Sequence, residues 1–91
     1  MKKYMEYAVE KAVELLGIDS PTGYTAEAAE VARKSYADLG FDAKLTVKGS
    51  VLVDLGGKNA EDALLLEVHL DTLGGMVTEI KSNGRLRLTN V

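Results

Sequence analysis

The chain has 91 residues, a net charge of -3 and no cysteine. That length suits one small domain or a piece of a larger one. The absence of Cys excludes disulfide scaffolds and thiolate metal sites, and the acidic balance leaves no basic footprint for nucleic acid.

Apolar residues make up 46% and charged residues 27%, which argues against disorder. No apolar run approaches the ~18 residues of a membrane span, so no membrane partner is expected. The start, Met1-Lys2-Lys3-Tyr4-Met5-Glu6, never reaches an apolar signal-peptide core. With no Cys to oxidise, a cytoplasmic location is the expectation.

Residues 4–16 read as an amphipathic helix. Met5, Ala8, Val9, Ala12, Val13 and Leu16 recur at spacings of three and four, with Glu6, Glu10, Lys11 and Glu14 opposite. Gly17 follows, where a left-handed cap is expected. Ser20-Pro21-Thr22-Gly23 reads as a turn, since Pro presets φ and Gly tolerates φ > 0. A nucleophile reading of Ser20 fails for want of a nearby base. A second helix runs from Thr25, its expected N-cap, to Leu39, with Ala28, Val31, Ala32, Tyr36 and Leu39 inward.

From Phe41 the period becomes two. Ala43, Leu45 and Val47 alternate with charged neighbours, Gly49-Ser50 turns the chain, and Val51–Leu55 returns as a hairpin. Gly56–Asp62 is a loop. Residues 63–70 are apolar on both faces apart from Glu67 and His69, which predicts a central strand covered on both sides. Thr72-Leu73-Gly74-Gly75 bends the chain. Residues 76–81 and 85–89 then form a second hairpin about an Asn83-Gly84 turn. The glycine pairs 56–57 and 74–75 open no helix, so turn chemistry is expected there rather than phosphate binding.

The chemistry concentrates in His69-Leu70-Asp71. His69 is the one histidine. Two residues apart on an extended segment, its side chain and that of Asp71 share a face. A metal-binding imidazole usually hands its other N–H to a carboxylate, which fixes the tautomer. The bland readings are a hydrogen-bonded histidine without metal and an aspartate capping the turn before Gly74. Glu67 shares their phase but lies deeper along the segment and is not taken as a third ligand.

These passages resemble a known family. Leu15–Tyr24, Val51–Gly57 and the block from His69 to Ile80 with Asn83-Gly84-Arg85-Leu86 are similar to stretches of the glutamyl, or tetrahedral, aminopeptidases, which are dinuclear metallopeptidases. The resemblance covers nearly the whole chain in register. It implies that His69 is a ligand of one of two divalent ions, zinc or cobalt, and that Asp71 is the carboxylate orienting it. Thr72 departs from the family pattern, which usually has Glu after His-x-Asp.

The fold implied is α/β: residues 1–73 as the N-terminal part of a zinc-exopeptidase-like α-β-α sandwich, and 74–91 as the start of an inserted β-barrel dimerisation domain. The family assembles as dimers and then as a hollow twelve-subunit tetrahedron, so a homo-oligomer with a peptide substrate is implied. The bridging Asp and the paired Glu residues of the family have no counterpart among these 91 residues. A two-metal hydrolase needs a cluster of ligands, so this chain alone is expected to bind metal weakly or not at all and to be inactive. The alternatives are a non-catalytic, self-associating fragment and a glycosidase; the latter needs two carboxylates flanking one bond.

Overall fold

The computed structural model describes residues 1–91. Two helices come first, α1 (Lys2–Leu16) and α2 (Ala26–Asp38). Two antiparallel hairpins follow, β1 (Asp42–Leu45) with β2 (Val51–Asp54), and β3 (Gly75–Ile80) with β4 (Leu86–Asn90). The helices match the periodicities to within a turn. Gly17 does not take the expected left-handed cap: its φ is −78°, and its N–H bonds back to the Val13 carbonyl. Thr25 does sit at the N-cap of α2, but its hydroxyl makes no capping bond. Glu30 and Arg33 pair along α2, and the hydrogen bonds from Arg33 hold the Glu30 carboxyl below its usual range.

Both hairpins turn by the same device. The Thr46 N–H donates to the Ser50 carbonyl and the Gly49 N–H to the Thr46 carbonyl; Lys81, Arg85 and Gly84 repeat the pattern. Each loop therefore has three residues and closes on a left-handed glycine, Gly49 at φ 86° or Gly84 at φ 84°. The second loop is the expected Ser82-Asn83-Gly84 connection between residues 81 and 85; a two-residue turn of type I′ would need φ > 0 at both positions, and no non-glycine residue here has positive φ. The turn of the first hairpin accordingly begins at Val47 rather than Gly49, and the strand shortens. In the second, the register shifts between Val77 and Glu79. The Thr78 hydroxyl donates to the Arg87 carbonyl, and Glu79 pairs with Arg87 across the strands at 3.2 Å.

The packed centre lies on α2. Ala28 and Ala29 are its buried apolar residues, small enough to admit close neighbours. The first hairpin packs there with Ala43, Val51 and Val53 half-buried; of the set its alternation predicts, Ala43 turns inward while Leu45 and Val47 are exposed. α1 meets α2 through a face the periodicity did not select: Tyr7, Lys11 and Leu15 against Ala32, Ser35 and Tyr36. Lys11 Nζ bonds Glu14 at 2.9 Å and Ser35 at 3.3 Å. The predicted inward stripe of Met5, Val9, Val13 and Leu16 stays between 64% and 75% exposed.

The predicted central strand at 63–70 is not a strand. Every other strand pairs inside its own hairpin, so this segment has no ladder partner. A strand exists only through hydrogen bonds to a neighbour, and an apolar sequence cannot supply them. Leu64, Leu65, Leu66 and Val68 are accordingly exposed. The molecule is extended, with a radius of gyration of 17.4 Å against about 12 Å for a compact chain of this length. Its accessible surface of 8153 Å² compares with roughly 5,200 Å² for a folded monomer of this mass. No helix is long and apolar enough to cross a membrane.

Candidate metal centre

One junction ties the second half of the chain to the first. Pro21 and Thr72 form an isolated parallel bridge, and the Thr72 N–H donates to the Ser20 carbonyl at 2.7 Å. Ser20 is the one buried polar residue, and its hydroxyl has no partner. Leaving it so costs about 1–3 kcal/mol, so the packing around it has to offset that. Gly74 lies against Pro21 so closely that an added Cβ would stand 2.6 Å from the proline Cβ. Neither Gly74 nor Gly75 has positive φ. Gly74 is therefore required by close approach, not by the turn chemistry expected of the pair.

This junction holds the end of the 63–72 segment, and His69 and Asp71 meet there. His69 Nδ1 lies 3.0 Å from the Asp71 backbone carbonyl and 3.4 Å from its carboxylate Oδ1. The first is a hydrogen-bond distance; the second is an electrostatic approach. The nearer partner is thus the carbonyl rather than the carboxylate the resemblance implies. Both atoms facing Nδ1 are acceptors. The neutral ring therefore carries its proton on Nδ1 and leaves the Nε2 lone pair free. With 85% of its side chain exposed, His69 presents that lone pair outward.

The chemistry of this arrangement fits one ligand position for a divalent ion. It does not close a site: no group of three or more His, Cys, Asp or Glu side chains gathers anywhere in the chain, and a catalytic zinc needs about three protein ligands. Glu67 is exposed and joins no cluster.

The residue that local pattern missed is Thr22. Its hydroxyl donates to Asp71 Oδ2 at 3.1 Å across 49 residues of sequence. The Ser20-Pro21-Thr22-Gly23 stretch turns as expected, with the Tyr24 N–H on the Pro21 carbonyl at 2.8 Å. Its second role, holding the Asp71 end of the site, had no signal in spacing or periodicity.

Comparison with known proteins bears on the same residues. A sequence model of the M42 glutamyl aminopeptidase family matches residues 49–91, just under half of the chain and including His69, Asp71 and the second hairpin. The chain is 36% identical over 75 residues to the Bacillus subtilis (strain 168) protein named "Putative aminopeptidase YhfE", covering 82% of this chain and 22% of that protein. It is 30% identical over 89 residues to "Uncharacterized protein YqjE" of the same organism, covering 87% of this chain and 24% of that protein. The chain thus spans less than a quarter of the length of these curated relatives. Residues 49–91 thus match the M42 glutamyl aminopeptidase family, and most of the chain is similar to an aminopeptidase relative, which together support an M42-family aminopeptidase fragment.

Proposed function

We propose that these residues are the N-terminal part of a metal-dependent aminopeptidase that removes N-terminal residues from peptides. The observation that carries the proposal is the orientation of His69, with Nδ1 toward two oxygens of Asp71 and Nε2 free. His69 would hold one of two divalent ions, zinc or cobalt. Such an ion, when bound, supplies Lewis acidity toward a peptide carbonyl. Asp71 keeps the imidazole tautomer and turns the ring outward. The remaining ligands would come from residues beyond this chain.

On this reading, residues 1–73 contribute to the α-β-α catalytic domain, where 63–70 would gain strand partners. Residues 74–91 would begin an inserted β-barrel used in assembly, up to the family's twelve-subunit particle. The location would be cytoplasmic. The test uses the complete protein carrying these residues. Turnover of aminoacyl-p-nitroanilides with zinc or cobalt, abolished by chelation, is the expected result. Turnover that survives chelation would sink the metal-dependent reading, and turnover by the pure 91-residue chain would sink its expected inactivity.

A second reading is favoured by one observation, the excess exposed surface. The stripe on α1 and the Leu64–Val68 run leave apolar area that a monomer rarely presents, and β1–β2 and β3–β4 each leave unpaired edges. The 91-residue chain, expressed alone, is expected to self-associate. Size exclusion with light scattering should give a mass above that of one chain. A monomer persisting at high concentration would reject this.

A further inference from the structure

We propose that Thr22 is a positioning residue for the His69–Asp71 pair, fixing which carboxylate oxygen of Asp71 faces the imidazole. The metal-affinity part of the proposal rests on the reading of His69 as a ligand; the ring-orientation part does not.

The argument starts from the two oxygens of Asp71. Oδ1 lies 3.4 Å from His69 Nδ1, and Oδ2 accepts the Thr22 hydroxyl at 3.1 Å. A carboxylate turns easily about its Cβ–Cγ bond, and such terminal torsions are broad. Anchoring Oδ2 removes that freedom and keeps Oδ1 toward the ring. An anchored carboxylate is also kept from swinging outward to compete for whatever Nε2 binds.

Thr22 can do this only if its own backbone is fixed, and it is. The Pro21–Thr72 bridge and the 2.7 Å bond from the Thr72 N–H to the Ser20 carbonyl lock the segment beside Asp71. Gly74 packs against the Pro21 ring. The bridge and this packing thus converge on the end of the 63–72 segment, which carries the candidate ligand. An incidental surface hydrogen bond would not need them. Asp71 keeps 47% of its side chain exposed, so the bond contributes little to stability; its consequence is geometric.

The experiment compares Thr22→Val, which removes the donor at nearly constant shape, with Thr22→Ser, which keeps it, and His69→Ala, in the complete protein. The first readout is cobalt(II) affinity by spectroscopic titration. Thr22→Val should weaken binding about tenfold, the low end for loss of an outer partner of a ligand. Thr22→Ser should stay close to the parent, and His69→Ala should lose a site. The second readout is the tautomer of His69, from nitrogen NMR at about pH 8, where imidazole is ordinarily neutral. The His69 signal is assigned by its loss in His69→Ala. The parent and Thr22→Ser should show the Nδ1–H form, and Thr22→Val a mixture with Nε2–H.

An unchanged tautomer in Thr22→Val, or a Thr22→Ser variant as impaired as Thr22→Val, overturns the positioning role. Unchanged cobalt binding in His69→Ala overturns the ligand reading instead, and the tautomer then decides the role of Thr22 by itself.

Discussion

Replacing His69 by alanine in the complete protein should lower kcat/KM by about a thousandfold or more, beyond the roughly 10–100-fold typical of losing an outer partner. The reason is the free Nε2: with Nδ1 committed to Asp71, that nitrogen is what this chain offers an ion. Asp71→Asn should cost less. Its backbone carbonyl, the nearer acceptor at 3.0 Å, survives the substitution, so the ring keeps one of its two acceptors and loses the facing charge. A loss of about 10–100-fold is expected for Asp71→Asn. The measurement is steady-state kinetics on an aminoacyl-p-nitroanilide, with metal content determined on the same samples. Equal losses in the two variants would mean that the carboxylate, not the carbonyl, sets the ring. A His69→Ala variant with full metal content and full activity would remove His69 from the site.

The second large effect is on the junction rather than the chemistry. Gly74→Ala places a Cβ 2.6 Å from the Pro21 Cβ, closer than atoms tolerate. Neither neighbour yields cheaply. Pro21 is a rigid ring, and its backbone is tied to Thr72 by the bridge. The expected destabilisation is about 1–3 kcal/mol, the usual cost of overpacking, with the Ser20–Thr22 segment pushed off the His69–Asp71 end. Gly57→Ala is the matched control: it meets nothing within 4 Å and has no positive φ. That substitution should change stability by no more than about 0.5 kcal/mol. Denaturant unfolding of both variants measures the difference. If Gly74→Ala unfolds like Gly57→Ala, the close approach to Pro21 is not a feature of the folded protein.

Local features of this fold were readable because their causes are local. The helices follow from apolar residues three and four apart, and each ends within a residue or two of a glycine, Gly17 or Gly40. The hairpins follow from period-two alternation, and Gly49 and Gly84 both occupy left-handed positions. The turn size was less legible, because one left-handed glycine serves a three-residue loop as well as a two-residue one. His69 and Asp71 were legible as a pair because two residues of separation bring them together with no help from the rest of the chain.

Other features depended on what each segment meets. The apolar run at 63–70 has the composition of a central strand, but composition does not provide hydrogen-bonding neighbours, and none of the strands in this chain pairs with it. The stripe on α1 has the period of a buried face, yet the contact to α2 runs through Tyr7, Lys11 and Leu15. Periodicity marks a face that is apolar, not which neighbour arrives there. The bond from Thr22 to Asp71 and the packing of Gly74 on Pro21 join segments about fifty residues apart. The sequence by itself determined the helices, the hairpins, the family resemblance and the His69–Asp71 pair, since each rests on residues that are neighbours along the chain. Only the tertiary structure decided that the Ser20–Thr22 turn braces that pair, because a contact across such a separation depends on how the whole chain closes on itself.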